Sequence, residues 1–207
     1  IAVIFVTDVV GFSKSMEKNE DETLRSFRSC RDILDNLFEE HGGRIFNTAG
    51  DSVLAEFQSA VSALMCAKDF QKLIRERNEN VSEDSVMRFR VGLNMGDVIV
   101  EGSNLYGDGV NVAARLEALS QSDGVCLSKS IMDFVNNKTD LDFHDLGEQK
   151  VKNTTVHAFD LTDHNLEKRS VESEIVKENE FSKAPSIAVL PFSNLSNDPE
   201  QEYFADG

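Results

Sequence analysis

Basic charge is scarce in this sequence. Its 207 residues include 21 Lys or Arg against 37 Asp or Glu, a formal net charge of −16. A surface that grips nucleic acid or anionic lipid needs positive charge to displace counterions, so neither is expected as a partner. Cysteine is also rare. Cys30, Cys66 and Cys126 are odd in number and far apart, which excludes a disulfide framework and gives no zinc spacing. They read as buried thiols in a reducing compartment. Long apolar runs are missing too. The longest is Ile1 to Val6, well short of the roughly 20 residues that span a bilayer, so no membrane contact is expected from this segment. The histidines His41, His144, His157 and His164 have no metal-ligand spacing. No signal peptide is visible, but the chain starts without Met inside a strand-like run and stops at Asp206-Gly207. It reads as a piece of a longer protein, so missing targeting segments mean little.

The chain does hold enough apolar residues, 40%, for a sizeable core without staples. Ile1–Val6 reads as a buried central strand, ending at Thr7-Asp8. Gly11-Phe12-Ser13 opens a helical stretch with Ser13 as a candidate cap. A second helix is predicted from about Asp21 to Glu40, with Leu24, Phe27, Ile33, Leu34, Leu37 and Phe38 inward, stopped by Gly42-Gly43. Strands over Arg44–Thr48 and Ser52–Phe57 flank a hairpin turn at Ala49-Gly50-Asp51. Ser59 caps a third helix to about Arg77, with Val61, Leu64, Met65, Ala67, Phe70 and Ile74 inward. Asn78–Ser85 is a polar loop. Met87–Leu93 and Val98–Val100 are expected strands about Asn94–Asp97. A glycine-rich loop, Gly102–Gly109, then leads into a helix from about Val110 to Leu119. Val125–Ser128 is a strand, Ile131–Val135 a short helix, and Phe143–Leu146 and His157–Leu161 the last strands. Hairpins mixed with helices predict an α+β fold with a largely antiparallel sheet flanked by helices.

From about residue 163 to 184 the character changes: ten of twenty-two residues are charged, which reads as a solvated linker. Ser186–Leu190 followed by Pro191-Phe192-Ser193 looks like the opening strand of a second, truncated domain over 185–207.

Two clusters suit chemistry on a phosphorylated ligand. Asp8 closes an apolar strand and Asp51 sits in a tight turn, a combination able to hold hard divalent cations. Such cations would let an acidic chain bind a nucleoside triphosphate. Between strand and helix, Val10, Gly11, Phe12 and Ser13 could leave backbone N–H groups pointing outward as a phosphate nest. The second cluster is Tyr106-Gly-Asp-Gly-Val-Asn-Val-Ala-Ala-Arg115. Asn111 and Arg115 are four apart and share a helix face, where an amide beside a guanidinium suits a phosphoryl centre and a sugar oxygen. Lys152, near Lys150, could reach a triphosphate. Each feature alone has a plainer reading, as a solvated carboxylate, a helix-start amide or a surface cation.

Together and in this order the pieces resemble the class III adenylyl/guanylyl cyclase catalytic domain, with its ferredoxin-like cyclase homology fold. The resemblance covers residues 1 to about 162. It is carried by Phe5-Val-Thr-Asp-Val-Val-Gly-Phe-Ser13, Gly43-Arg-Ile-Phe-Asn-Thr-Ala-Gly-Asp-Ser52, Gly92-Leu-Asn-Met-Gly-Asp97, Tyr106–Arg115 and Leu146-Gly-Glu-Gln-Lys-Val-Lys-Asn153. More narrowly, the chain is similar to bacterial cytoplasmic proteins in which such a domain precedes a TolB-like segment and often tetratricopeptide repeats. The resemblance implies conversion of ATP, or of GTP, to the 3′,5′-cyclic nucleotide and pyrophosphate for intracellular signalling. Two divalent cations, Mg or Mn, would be held by Asp8, Asp51 and the Val9 carbonyl. Arg115 matches the family's transition-state arginine, Asn111 the ribose-orienting asparagine, and Lys152 the lysine that contacts the terminal phosphates. The family builds its sites between the chains of a head-to-tail homodimer, so active sites would be shared.

The chain departs from the family pattern where the base is read. Asn47, four residues before Asp51, stands where adenylyl cyclases usually have lysine. Asn104, seven before Asn111, stands where they usually have aspartate or threonine. Two neutral amides can donate or accept in either orientation, so they would discriminate bases loosely. The alternative reading is therefore a catalytically weak or inactive nucleotide-binding and regulatory dimerisation module.

Overall fold

The computed structural model describes residues 1–151, 154–163 and 165–169. Its first strand, β1 (Ala2–Val9), has the two-sided burial that a continuous apolar run predicts. Val3, Phe5 and Val9 enter one core cluster, while Ile4 and Val6 enter another on the opposite face. Around it run β2 (Gly43–Ala49), β3 (Ser52–Phe57), β4 (Phe89–Gly96), β7 (Val125–Ser128), β8 (Phe143–Val151) and β9 (Thr154–Leu161), in the order β2-β3-β1-β4-β7-β9-β8. Every pairing is antiparallel except β4 with β7. The expected α+β class is borne out.

One face is covered by α2 (Glu20–His41), α3 (Ala60–Asn78) and α5 (Lys129–Val135), with the short α1 (Phe12–Lys18) packed on α2. The ends of α2 follow helix-end chemistry. Asn19 Oδ1 accepts from the Glu22 N–H at 3.2 Å, the first turn is acidic, and Gly42 closes the helix at φ 75°. Ser59 caps α3 as expected, accepting from the Ser62 N–H at 3.3 Å. Phe5, Phe38 and Phe57 meet with ring centroids 5.2–6.0 Å apart, and α2 is thereby fixed to β1 and β3. Leu24, Phe27 and Ile33 are only half-buried. The innermost positions in that stretch are Thr23, Ser26 and Cys30, whose small side chains suit close packing of α2 against α3. All three thiols are buried, and burial pushes Cys30 up to about 11 and Cys66 up to about 12.

The other face carries α4 (Asp108–Leu119) and a small hairpin, β5 (Ile99–Glu101) with β6 (Asn104–Tyr106). Helix and sheet approach to backbone contact. A Cβ built on Gly92 would lie 2.3 Å from the Ala113 carbonyl oxygen and 2.2 Å from the Glu117 nitrogen. Only glycine at the centre of β4 allows α4 to lie there.

Several sequence expectations need correction. Ser13 does not cap α1; the cap position is Gly11, at φ 73°, and no side chain accepts there. The strand expected to stop at Leu93 runs to Gly96, and β5 pairs with β6 instead of with it. The expected loop from Gly102 thus contains β6, too short for alternation to show, with Leu105 its one buried residue. The last two strands are longer than read, because β8 is an edge strand whose polar outer half carries no apolar signal. Lys152, most of the expected linker and all of the expected second domain lie outside the described residues.

Gly92→Ala should cost about 3 kcal/mol of stability, because the new methyl must displace α4 backbone. Urea unfolding checks this; a variant as stable as the parent would contradict the close approach.

Candidate active site

Alternation along β1 places Asp8 on the α4 face, two residues after Val6. Its cross-strand partner is Arg90 on β4. Arg90 grips both carboxylate oxygens, Nη2 to Oδ2 at 2.7 Å and Nε to Oδ1 at 3.2 Å. Thr7 Oγ1 donates to the Arg90 carbonyl at 2.7 Å, which fixes the arginine's backbone. Asp51 arrives from the β2–β3 turn, where Gly50 takes φ 61°. Its Oδ2 accepts from the Val9 N–H at 3.0 Å, so the two carboxylates stand at adjacent residues of one strand end.

Glu117 of α4 completes this corner. Its Oε1 lies 3.0 Å from Arg90 Nε, but that N–H points to Asp8 and leaves Oε1 without a hydrogen bond. Burial, with Asp8 beside it, pushes the Glu117 carboxyl up to about 8, and Arg90 opposes the shift.

Arg115, two residues before Glu117, leaves α4 on another side. Its Nη1 donates to Thr154 Oγ1 on β9 at 2.6 Å. Asn111 lies one turn earlier and is exposed. β9 stands three strand steps from β1, about 14 Å across the sheet. The structure therefore gathers Asp8, Val9 and Asp51 at one place and Asn111 with Arg115 at another.

Asn47 and Asn104 belong to a third region. The β2–β3 register shifts at Phe46, so Ile45 pairs with Ala55 but Asn47 pairs with Leu54. Without that bulge Asn47 would oppose Val53, on the face covered by α2 and α3. With it, Asn47 shares the face of Leu54, where Phe46 packs with Leu105 of β6. Asn104 precedes Leu105, and Arg44 Nη1 ties the two elements by donating to the Ser103 carbonyl at 2.8 Å.

The donor set at Asp8 and Asp51 fits hard divalent cations. Two carboxylates and the neighbouring Val9 carbonyl offer oxygen only, and both aspartates remain partly open to solvent. Among the described residues no group of three His, Cys, Asp or Glu forms a closed metal cage, so further ligands would come from water or from a bound ligand's oxygens. Beside this pair, α1 starts with no acidic residue and no capping side chain. The backbone at Phe12 and Ser13 is thus available to an anion.

The model of the adenylate and guanylate cyclase catalytic domain family matches residues 1–165. The chain belongs to this family. Over 210 aligned residues it is 42% identical to the candidate adenylate cyclase 3 of Rhizobium meliloti (strain 1021); the match takes in all of this chain but 36% of that relative. It is similar to a solved adenylate/guanylate cyclase/hydrolase from Silicibacter pomeroyi, at 35% identity and TM-score 0.72, covering 78% of this chain and 96% of the other. The adenylyl cyclase CyaB of Pseudomonas aeruginosa (P. aeruginosa) shares the fold, at 20% identity and TM-score 0.67, over 78% of this chain and 93% of that one.

Sequence reading of this cyclase domain missed Arg90, Glu117 and Thr154. An arginine in the middle of the apolar run Phe89-Arg-Val-Gly-Leu93 was a usable signal, since a charge there needs a partner. Glu117 carried none, because a glutamate near a helix end reads as solvated. Between its unfolded value, near 4.5, and about 8 the folded chain holds a proton on Glu117 that the unfolded chain has lost, so stability falls as pH rises through that window. Arg90→Met removes the group that opposes the shift and should steepen the fall. The expected cost is about 1 kcal/mol at pH 5 and about 3 kcal/mol at pH 8, discounted for partial exposure of the arginine. Urea unfolding at the two pH values measures it; an equal cost at both would refute the arrangement.

Proposed function

We propose that the chain is the catalytic domain of a nucleotidyl cyclase that converts ATP, with GTP as a second candidate substrate, to the 3′,5′-cyclic nucleotide and pyrophosphate. The observation that carries this is the division of the site. One chain displays a carboxylate pair at the end of β1 and an amide–guanidinium pair on α4, whose arginine turns to Thr154 of β9 and not to the carboxylates, so neither half is complete alone. A head-to-tail homodimer joins the first half of one chain to the second half of its partner, giving two equivalent sites. The exposed apolar side chains Ile99, Val100 and Tyr106 on β5–β6 support such a contact.

In this reading Asp8, Asp51 and the Val9 carbonyl hold two Mg or Mn ions, which when bound acidify the ribose 3′-hydroxyl and neutralise the triphosphate. Backbone N–H groups at Gly11, Phe12 and Ser13 meet phosphate oxygens; the Val10 N–H, expected among them, already donates to the Arg88 carbonyl at 2.8 Å. Asn111 orients the ribose so that the 3′-oxygen lies in line with the α-phosphorus. The new O–P bond forms as the bond to the bridging oxygen breaks and pyrophosphate leaves. Arg115 meets the charge that grows on the phosphoryl oxygens. Lys152 contacts the terminal phosphates, and Asn47 with Asn104 reads the base. The chain spans about a third of the Rhizobium meliloti relative's length, and we place a TolB-like segment from residue 185 onward, with tetratricopeptide repeats to follow, in a cytoplasmic signalling protein.

Asn47 and Asn104 also favour a second reading, a nucleotide-binding regulatory module with little turnover. A product assay with manganese and separate ATP and GTP separates the two. Cyclic nucleotide from the parent, and a loss of at least about a thousandfold in Asp51→Ala, is expected; no product from a proven dimer supports the module. Asp51→Ala and Arg115→Ala chains, each inactive alone, should regain up to about a quarter of parental activity when mixed, because random pairing leaves one intact site in half of the dimers. No recovery despite measured subunit exchange would refute shared sites.

A further inference from the structure

α4 has no basic residue in its own last turn, although its final carbonyls carry the negative end of the helix. The Ser120 N–H serves Leu116 and Glu117, at 2.9 and 3.0 Å. The next two carbonyls are met from outside the helix, that of Ala118 by Arg90 Nη1 at 3.5 Å and that of Leu119 by Arg169 Nη1 at 2.7 Å. Arg169 lies eight residues beyond the end of β9. Its remaining donors form a fork on Asp160 of β9, Nε to Oδ2 at 2.8 Å and Nη2 to Oδ1 at 2.6 Å. The segment that carries it is itself held. His144 Nε2 sits 2.9 Å from the Arg169 carbonyl oxygen, and Gln121 Nε2 donates to the Glu167 carbonyl at 3.2 Å.

This clamp acts on a helix that needs one. Where α4 crosses β4 it rests on the bare backbone of Gly92, which offers no side chain to interlock with the helix and resist sliding. Away from that crossing Val112 and Leu116 pack with Cys126, Leu146 and Ala158, and polar contacts hold the two ends. At the start, Asn94 Nδ2 donates to the Gly109 carbonyl at 2.9 Å. At the other end, Arg169 joins the Leu119 carbonyl to β9, whose same face carries Thr154, the partner of Arg115. Arg169 itself lies beyond residues 1–165, the stretch that the family model matches.

We propose that Arg169 is a positioning residue for the cyclase reaction: by tying the end of α4 to Asp160 it fixes where Arg115 and Asn111 stand. The inference rests on the cyclase reading above. A shift of about 1 Å in a catalytic group can cost up to a hundredfold in rate.

The test uses the full-length chain with Arg169→Ala, Arg169→Lys and the neutral pair Asp160→Asn/Arg169→Gln, which leaves no unpaired carboxylate. Arg169→Ala and the neutral pair should lower kcat at least about tenfold with KM for the manganese nucleotide within about twofold. Amide hydrogen exchange over residues 113–120 should quicken about tenfold while the rest of the sheet is unchanged. Lysine reaches one of the two acceptors and should recover part of both effects. Parental kcat in Arg169→Ala and in the neutral pair overturns the proposal, as does a fall in kcat with unchanged exchange over 113–120. A parent chain that makes no product refutes the cyclase reading, and the exchange measurement still decides whether Arg169 holds α4.

Discussion

The contact of α4 with β4 over Gly92 sets most of what is distinctive here. At that point helix backbone touches strand backbone, so α4 lies lower on the sheet than side-chain packing would permit. Glu117 is thereby pressed against the corner where Asp8 and Arg90 pair, and its carboxyl loses water that nothing fully replaces. The same approach leaves the helix end close to β9, within reach of arginines that belong to other elements. A larger residue at position 92 would lift the helix and loosen all of these at once.

Arginine supplies ten of the 21 basic side chains of this acidic chain, and at the centre of the fold it works between carboxylates and helix carbonyls. Arg90 lies between Asp8 and Glu117 and touches the Ala118 carbonyl; Arg169 joins Asp160 to Leu119. With Glu117 holding its proton below about pH 8, Asp8 and Asp51 against the one guanidinium of Arg90 leave the corner with an excess of negative charge, which suits hard cations and, through them, a polyphosphate. On α4 near β9, the one hydrogen-bond partner of the Arg115 side chain among the described residues is the neutral Thr154. The chain thus carries its carboxylates and its guanidinium on separate parts of one sheet face.

Much of this was legible in the residues. The strand–helix order, the Ser59 cap, the Gly42 stop and the Gly50 turn all came from local chemistry, in which a few neighbouring residues decide the outcome. The motifs around Asp8, Asp51, Asn111 and Arg115 could be located because each sits in such a local context. What escaped was non-local or lacked periodicity. β6 is three residues long, β8 is polar along its outer half, and the bulge at Phe46 exists only as a mismatch between two strands.

By itself, then, the sequence determined the α+β class, the helix ends at Gly42 and Ser59 and the cyclase motifs, because these rest on hydrogen bonds and apolar periodicity within short windows. Only the tertiary structure decided which charges share a corner. Asp8 meets Arg90 eighty-two residues away, and Asn47 faces β6 through a one-residue bulge. It also decided that Arg115 turns toward Thr154 and away from Asp8. Those outcomes depend on strand order, register and the depth at which a helix settles on a sheet, quantities fixed by packing of the whole domain and carried by no single stretch of the chain.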